Sequence, residues 1–318
     1  MLLQVILGKK TIKKYMKIPT SAYLAPEGFV DDLLHELGDR VMDVRDRLVL
    51  SSASPVQSVW AENIWLNPQL IEISSIGDAA KKLKSIQRNW ANYAFDFHRR
   101  SKLITEKLPH VSAKPLKFPC VLPTAPLGSW TLLKENLLLA SPSCSAAVPN
   151  GAFIFEENKT EPPNRAYLKL WEALTRIGKM PGPGETCLDL GACPGGWTWV
   201  LQGLGAKVIA VDKASLAPHI AALENVEYRQ ESAFGLDPAR IGPVDWLFSD
   251  IICYPDRLLR LIENWRTAGL AKNMVCTIKF QGETDHTAVA RFLDIPSSFA
   301  LHLYNNKHEI TWICLEKP

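Results

Sequence analysis

The sequence contains no hydrophobic run of the roughly 20 residues that a membrane-spanning helix requires. Its apolar start, Met1–Leu7, is too short for a secretory signal, and the lysines follow this stretch instead of preceding it. Its 7 cysteines include no Cys-x-x-Cys pair and no spacing with histidine that is typical of a metal site. An odd, dispersed set of cysteines indicates reduced thiols. We therefore expect a cytoplasmic protein without a membrane span or a bound metal.

The sequence also lacks a strong charge imbalance, because 36 lysines and arginines stand against 33 acidic residues. The net charge of +3 alone therefore does not indicate a nucleic-acid-binding protein. The basic residues are nevertheless clustered. The clusters are Lys9, Lys10, Lys13, Lys14 and Lys17, and then Lys81, Lys82, Lys84, Arg88, Arg99, Arg100 and Lys102. Each cluster can contact RNA phosphates, and an ordinary solvated helix face is an equally good interpretation of either one.

The length of 318 residues allows two domains, and we predict an α+β domain over 1–155 and a second domain over 156–318. The second half alternates strand-like and helix-like segments, which is typical of a doubly wound α/β sheet. The predicted strands are Thr186–Leu190, Lys207–Val211, Val226–Arg229, Asp245–Ser249, Met274–Ile278, Phe299–Tyr304 and Ile310–Leu315. The predicted helices lie near 196–204, 214–223, 255–268 and 284–293.

The last two predicted strands adjoin without room for a helix, so they must pair in an antiparallel hairpin. The expected fold is therefore a mostly parallel, Rossmann-like sheet of seven strands that ends in a hairpin. This ending distinguishes the class I methyltransferase sheet from a plain dinucleotide-binding sheet.

The first half has a less regular pattern. A short helix is predicted after Pro26, and a longer helix is predicted from an N-cap at Asp78. The buried stripe of this longer helix is predicted to be Leu83, Ile86, Trp90, Tyr93, Ala94 and Phe97. The predicted strands are Val41–Val44, Leu48–Ser51, Ser58–Trp60, Leu70–Ile73, Trp130–Leu133 and Leu137–Ala140. Five prolines in the segment 105–128 favour an extended connector.

The strongest motif is the glycine-rich turn in the segment 188–199, where a strand ends at Asp189 and a helix begins near Gly195. Its glycines allow a ligand to lie against the backbone at the helix N-terminus. A dinucleotide fingerprint requires glycine where this sequence has Cys193. S-adenosylmethionine has no pyrophosphate, and Asp189 can pair with its ammonium group directly or through water. The alternative is that the glycines serve only strand–helix packing.

The second strand ends at Asp212, which is placed to accept hydrogen bonds from the ribose hydroxyls of an adenosine. It lies about 20 residues beyond Gly191, as in NAD-dependent enzymes, so by itself it does not discriminate between the two cofactors. Glu231 and Ser232 follow the third strand and are candidates for the adenine contact, although a solvated Glu231 is equally consistent. The full predicted cofactor set is Asp189, Gly191, Ala192, Cys193, Pro194, Gly195, Gly196, Trp197, Asp212, Glu231, Ser232 and Asp250.

Four charged residues are predicted to share one edge of the sheet. Asp250 and Lys279 follow the fourth and fifth strands, and Glu309 precedes the last strand, which runs in the opposite direction. Lys169 lies on a helix that begins near Asn164. Open α/β sheets bind ligands at the carboxyl ends of their strands, so these four side chains are candidate catalytic residues. Each of them alone is more often a solvated end of an element.

These motifs together resemble the FtsJ/RrmJ-type RNA ribose 2′-O-methyltransferases. The resemblance rests on Asn164–Leu170, the turn through Trp197, Ser249-Asp250, Ile278-Lys279 and Glu309. It implies a catalytic Lys-Asp-Lys-Glu tetrad at Lys169, Asp250, Lys279 and Glu309, with S-adenosylmethionine as the methyl donor and RNA as the partner. Within the tetrad, Lys279 is the candidate general base, while Asp250 orients Lys279 and Glu309 orients Lys169.

The resemblance covers the C-terminal half, and it is strongest to the RlmM group, which methylates a cytidine ribose of bacterial large-subunit ribosomal RNA. Segment 24–29 and the residues before 160 resemble parts of that group's N-terminal region, which includes an RNA-binding THUMP domain. This chain's N-terminal half is shorter, and Ser232 stands where the family often has aspartate. The remaining alternatives are a 2′-O-methyltransferase of transfer RNA or of the mRNA cap, and a non-catalytic RNA-binding or ribosome-assembly factor. A monomer or a weak dimer is expected.

Overall fold

The computed structural model describes residues 18–316, so the basic cluster Lys9–Lys17 lies outside the described residues. The chain forms two compact units. The first contains the residues up to Lys114 together with Pro123–Ala152, and the second contains Pro115–Leu122 and the residues from Phe153 onward. Within the described part of the chain, no helix is long and apolar enough to cross a membrane.

The first unit begins with an antiparallel four-stranded sheet of order β2-β3-β1-β4. Its strands are β1 (Ser21–Leu24), β2 (Val41–Arg45), β3 (Leu48–Ser51) and β4 (Asn63–Trp65), with helix α1 (Val30–Leu37) between the first two. The sequence pattern did not predict β1 or β4. Both strands are buried along their whole length, so they lack the alternation of polar and apolar residues that marks a half-exposed strand.

A second four-stranded sheet completes this unit, with the order β5-β8-β7-β6. Its strands are β5 (Gln69–Glu72), β6 (Trp90–Asn92), β7 (Gly128–Lys134) and β8 (Leu137–Ser141), and its helices are α2 (Ile76–Ile86) and α3 (His98–Thr105). The buried faces of α2 and α3 pack with the sheet in one core, which includes Leu83, Trp90, Ile104 and Trp130.

The prediction of one long helix through Phe97 is wrong. Helix α2 begins after the N-cap Ser75, whose hydroxyl accepts from the backbone N–H of Asp78, and it ends at Ile86. Trp90 then starts β6, which pairs with β7 in parallel. The indole N–H of Trp90 donates to the carbonyl of Leu83 at 3.0 Å. Trp90 therefore caps a carbonyl group in the last turn of α2 although it lies outside the helix. The helical spacing of apolar residues that predicted the long helix therefore extends past the real end of α2, at Ile86, into strand β6.

The predicted strand Ser58–Trp60 is also absent, since these residues form no strand in the structure. Four large aromatic residues of the first unit are buried, so they are not available for stacking on RNA bases. They are Trp60, Trp65, Trp90 and Tyr93, with exposed fractions between 0% and 7%. They therefore serve the core of the first unit.

The second unit contains the predicted seven-stranded sheet, with the order β11-β10-β9-β12-β13-β15-β14. Its strands are β9 (Thr186–Leu190), β10 (Lys207–Val211), β11 (Val226–Arg229), β12 (Val244–Ser249), β13 (Ala271–Lys279), β14 (Ser298–Leu301) and β15 (Glu309–Cys314). The first five are parallel, and β15 is antiparallel to both β13 and β14. The predicted class I methyltransferase architecture is confirmed, although β14 ends at Leu301 instead of Tyr304.

One helix precedes β9 and one lies in each interval between consecutive strands from β9 to β14, and all but one of the predicted helices have close to the expected length. They are α4 (Tyr167–Ile177), α5 (Gly196–Gly203), α6 (Pro218–Ala221), α7 (Pro238–Ile241), α8 (Pro255–Ala268) and α9 (His286–Leu293). The exception is α6, which is a single turn where a ten-residue helix was expected. The apolar face of α4 is buried, and this fixes the helix that carries Lys169.

The predicted connector between Thr105 and Gly128 forms neither a helix nor a strand. Part of it nevertheless packs within the second unit. Leu116 forms an isolated bridge with Phe155, and the ring of Phe118 stacks on Trp171 of α4 with 4.9 Å between centroids.

Candidate active site

The four charged residues predicted at the sheet edge meet in the structure. Lys169 extends from α4 and places its Nζ 2.8 Å from both carboxylate oxygens of Asp250, which follows β12. The same Nζ lies 3.1 Å from Oε1 of Glu309, the first residue of β15. Lys169 is thus held between two carboxylates, and only 9% of its side chain is exposed.

Lys279 completes the cluster from the end of β13. Its Nζ donates to the main-chain carbonyl of Asp250 at 2.7 Å and lies 3.1 Å from Oδ1 of the same residue. The antiparallel register of β13 and β15 places Lys279 directly opposite Glu309. Lys279 contacts one carboxylate where Lys169 contacts two, and its side chain is 18% exposed. Lys279 is therefore the more accessible of the two amines.

The glycine-rich turn lies between β9 and α5 and brings backbone close to its neighbours. Gly191 has a φ of +78°, and a Cβ at this position would lie 2.8 Å from Cβ of Ile251. A Cβ on Gly196 would collide with Oδ1 of Asn164, the residue that precedes Arg165 and α4. Close approach to the Ile251 backbone and the positive φ together require glycine at Gly191, whereas a Cβ at Gly196 would have to displace the side chain of Asn164.

Asp189 is the buried acid of the turn. Its Oδ2 accepts a hydrogen bond of 2.6 Å from the hydroxyl of Thr198. Burial raises the pKa of the Asp189 carboxyl to about 7, and the nearby Asp250 and Asp212 contribute to the rise. The hydrogen bonds from Thr198 oppose this rise. A cationic ligand beside Asp189 would therefore gain a favourable charge interaction.

Asp212 lies beside the glycine turn, whereas Glu231 and Ser232, the predicted adenine contacts, do not line the nearby cavity. The two oxygens of Asp212 accept from the backbone N–H groups of Cys193, at 3.0 Å, and Ala214, at 2.9 Å. These bonds fix the carboxylate at the end of β10. Glu231 and Ser232 come after β11 and precede a short 3₁₀ turn, and neither contributes to the lining of the cavity described next.

A cavity of about 370 Å³ lies between the glycine turn and the charged cluster. Its lining comprises Asn164, Ala166, Asp189, Gly191, Ala192, Cys193, Gly196, Trp197, Asp212, Asp250, Ile251, Ile252 and Lys279. Among these residues there are three carboxylates and one lysine, so we call it the acidic cavity. Most of the predicted cofactor residues line it, whereas Pro194, Gly195, Glu231 and Ser232 do not.

Comparison with known proteins agrees with this geometry. Residues 162–309 match the family model described as FtsJ-like methyltransferase. The match contains α4, the glycine turn and all four charged residues. This segment is therefore similar to the FtsJ-like methyltransferases, and we refer to the unit that contains it as the methyltransferase domain.

Relatives of this methyltransferase domain carry the name Ribosomal RNA large subunit methyltransferase M. The protein from Halorhodospira halophila is 36% identical over 157 residues, which are 47% of this chain and 46% of that protein. The one from Azotobacter vinelandii is 37% identical over 162 residues, 49% of this chain and 45% of its own length. These alignments thus span about half of each relative. A longer match, to the protein from Xanthomonas oryzae pv. oryzae, has 29% identity and covers 75% of this chain and 69% of the relative.

A second cavity of about 390 Å³ adjoins the first in the methyltransferase domain. Its lining comprises Asn164, Arg165, Ala166, Leu168, Lys169, Lys279, Asn305, Lys307 and Glu309. Among these residues there are four cations and one carboxylate, so we call it the basic cavity. Asn164, Ala166 and Lys279 line both cavities.

Several lining residues were not predicted as site residues from the sequence. Ile251 and Ile252 follow Asp250, and Asn164 and Arg165 precede α4. These four residues could have been predicted from the sequence, because they are close in the chain to predicted catalytic residues. Asn305 and Lys307 lie in the loop between β14 and β15, and nothing in the local sequence distinguishes them from other loop residues.

Proposed function

We propose that this chain is an S-adenosylmethionine-dependent methyltransferase that modifies a ribose 2′-hydroxyl of RNA, with large-subunit ribosomal RNA as its substrate. The observation that carries the proposal is the contact between Lys169, Asp250, Lys279 and Glu309 beside the acidic cavity. Two amines and two carboxylates at one rim of a methyltransferase sheet match the tetrad of the RNA ribose methyltransferases.

The acidic cavity fits the charge of S-adenosylmethionine. Asp189 and Asp212 line it and form no ion pair with the described residues, whereas the cofactor carries an ammonium and a sulfonium group. We expect Asp189 to hold the ammonium group and Asp212 to hold the ribose hydroxyls, with the backbone at Gly191 and Gly196 against the ligand. When bound, S-adenosylmethionine supplies a methyl group on a positively charged sulphur, which makes that carbon open to attack by an oxygen.

Lys279 is positioned to act on the acceptor. It lines both cavities, so its Nζ borders both the space proposed for the cofactor and the space left for a ribose. Nζ of Lys279 would accept the proton of the 2′-hydroxyl as the oxygen bonds to the methyl carbon, while the carbon–sulphur bond breaks and S-adenosylhomocysteine leaves with the electron pair of that bond. This role requires Lys279 in its neutral form at the moment of transfer.

The other three residues position the reacting groups. Asp250 contacts both amines, so it fixes their separation, and it orients Lys279 through its carboxylate as well as its main-chain carbonyl. Glu309 shares Lys169 with Asp250, and the two carboxylates together hold the Lys169 side chain in place. Positioning of this kind can contribute as much to the rate as the proton transfer itself.

Ribosomal RNA as the substrate is inferred from the names of the relatives, which match mainly over the methyltransferase domain. The first unit is proposed to contribute to RNA binding in the manner of a THUMP domain. Its exposed basic residues on α2 and α3, among them Lys81, Lys84 and Arg99, are available for phosphate contacts. The extended match to the Xanthomonas protein includes part of this unit.

The proposal is tested by incubating the full chain with methyl-labelled S-adenosylmethionine and unmodified large-subunit ribosomal RNA. The RNA is then digested to nucleosides and the label identified by chromatography and mass spectrometry. We expect a single 2′-O-methylnucleoside, and Lys279→Ala should eliminate it. Label on a base, or label only when transfer RNA replaces ribosomal RNA, would refute the substrate and the reaction as proposed.

A further inference from the structure

We propose that the basic cavity binds a phosphodiester of the acceptor RNA strand through Lys307 and Arg165, and that Glu172 is a positioning residue for the loop that carries Lys307. This inference rests on the proposed function, because it assigns the backbone of the same RNA substrate to a particular group of residues. Neither Lys307 nor Glu172 belongs to the tetrad.

The charges of the basic cavity favour an anion. Two of its four cations, Lys169 and Lys279, are already bound to the carboxylates of the tetrad. Arg165 pairs with Glu157 at 2.8 Å at the surface, where 74% of the arginine side chain is exposed. Lys307 is exposed and forms no ion pair with the rest of the described chain. Arg165 and Lys307 can therefore turn toward a phosphate at little cost in lost protein contacts.

Glu172 is a buried carboxylate that has no part in the proposed chemistry. Its exposed fraction is 0%, and it lies three residues after Lys169 on α4. One oxygen accepts from the backbone N–H of Tyr304 at 2.9 Å, and the other accepts from that of Asn305 at 3.3 Å. Burial raises the pKa of Glu172, while Arg176 and these N–H groups oppose the rise. A buried carboxylate that binds two successive backbone N–H groups holds that backbone in one conformation.

The loop between β14 and β15 is also fixed beyond Asn305. The ring Nε2 of His302 lies 2.9 Å from the carbonyl oxygen of Lys307. The backbone N–H of Lys307 in turn donates to Oε1 of Glu309 at 3.4 Å. The backbone that carries Lys307 is thus bonded to the helix that carries Lys169 and to a tetrad carboxylate.

This arrangement joins the basic cavity to the catalytic residues through α4. Lys169 and Glu172 are one helical turn apart, so both side chains leave the same face of the helix. Lys169 holds Asp250 and Glu309, and Glu172 holds the loop. A phosphate at Lys307 would therefore have a fixed position relative to Lys279. Such a contact would set where the neighbouring ribose lies, which is the requirement of an in-line transfer.

The test measures binding of a short, fluorescently labelled single-stranded oligoribonucleotide to the full chain at several salt concentrations. Lys307→Ala should weaken binding about 3- to 10-fold at low salt and reduce the slope of log affinity against log salt by about 0.7, the value for one lost phosphate contact on a single strand. The matched control is Lys207→Ala. This exposed lysine starts β10 at the opposite edge of the sheet, so its removal should leave the slope unchanged. An unchanged slope in Lys307→Ala would refute the phosphate site.

Glu172 is tested by Glu172→Gln, which keeps one acceptor oxygen and replaces the other by an amide that cannot accept. We expect the KM for RNA to rise about 3- to 10-fold with little change in kcat, and the salt slope to fall as in Lys307→Ala. Binding of S-adenosylmethionine, measured by calorimetry, should stay within twofold. A lower melting temperature with unchanged KM and slope would show that Glu172 only stabilises the fold and would refute its positioning role.

The two proposals can fail separately. A wild-type chain that transfers no methyl group to RNA would refute the proposed function, while the oligoribonucleotide experiment would still report on the phosphate contact. Conversely, full methyl transfer with unaltered RNA binding by Lys307→Ala would refute the phosphate site alone.

Discussion

The two cavities of the methyltransferase domain have opposite charge, although they share Asn164, Ala166 and Lys279. The acidic cavity is bounded by Asp189, Asp212 and Asp250, which lie at or just beyond the carboxyl ends of parallel strands. The cations of the basic cavity come from the start of α4, the end of β13 and the loop before β15. One side is therefore suited to a cationic sulfonium cofactor and the other to a polyanion.

This difference indicates how the site can keep its two ligands apart. Each proposed ligand would be attracted to one cavity and repelled by the other, because the ligand and the other cavity carry charges of the same sign. Lys279 lies on the wall that the two cavities share. A methyl group that moves from the proposed cofactor to the proposed RNA would pass next to this wall.

Replacement of the shared lysine should have the largest effect. Lys279→Ala removes the proposed base from both cavities, so we expect kcat for RNA methylation to fall by about 10²- to 10⁴-fold. Calorimetry should show S-adenosylmethionine binding within a few-fold of wild type, because three acidic residues of the first cavity remain. Lys207→Ala is the control. Near-normal methylation by Lys279→Ala would remove Lys279 from the mechanism.

The two carboxylates of the tetrad should differ in importance. Asp250 contacts both lysines, whereas Glu309 contacts Lys169. We therefore expect Asp250→Asn to lower kcat by about 10²-fold or more and Glu309→Gln by about tenfold, since each exchange weakens charged hydrogen bonds. Single-turnover measurements with saturating RNA test this order. Equal losses would show that orientation of Lys279 by Asp250 does not limit the rate.

The acidic cavity should show a pH dependence that the basic cavity lacks. Because burial raises the pKa of Asp189 to about 7 from its usual 3.8, a cationic ligand must displace a proton from it at lower pH. Affinity for S-adenosylmethionine should therefore rise with pH up to about 7 and then level off. Asp189→Asn should weaken binding by about 10- to 100-fold and abolish this rise. Calorimetry across the pH range measures both, and oligoribonucleotide binding provides the comparison.

The same group has a predictable effect on stability without ligand. The folded-state pKa of Asp189 lies above its unfolded value, so the folded protein keeps the proton to higher pH. Its contribution to the free energy of unfolding is then lost as the pH rises from about 4 through 7. Asp189→Asn should reduce this loss, so the mutant's melting temperature should decline less between these pH values than that of the wild type. An identical decline in both proteins would contradict the assignment.

The smallest effect is expected where both cavities are disturbed slightly. A Cβ on Gly196 would collide with Asn164, a residue of the shared wall, so Gly196→Ala should weaken both S-adenosylmethionine and RNA binding a few-fold. Gly203→Ala lies in the same helix with open space around its Cβ. It should leave both affinities intact and stabilise the helix by about 0.5–1 kcal/mol. Loss of only one ligand in Gly196→Ala would show that the wall is not shared.

The comparison between the two units shows where prediction from sequence succeeded. In the methyltransferase domain, strands such as Thr186–Leu190 and Lys207–Val211 were predicted with the observed bounds. They are short apolar segments between clear turn residues, so local patterns define them. In the first unit, Trp90 continued the helical spacing of α2 but belongs to β6. Trp90 is buried by α3 and by strands β7 and β8, which come later in the chain. A local sequence pattern cannot predict such contacts.

The sequence by itself determined the glycine turn, the succession of strands along the chain and the residue types at their ends, because these depend on local backbone conformation and on hydrophobic periodicity. Only the tertiary structure decided which charges meet. Lys169 and Glu309 are 140 positions apart, and a 3.1 Å contact between them requires α4 and β15 to pack at one edge of the sheet. The clamp of Glu172 on the loop at Tyr304 likewise depends on that packing, as does the opposite charge of the two cavities. Distances between side chains on different elements depend on packing that spans the whole domain, whereas the elements themselves are encoded within a few residues.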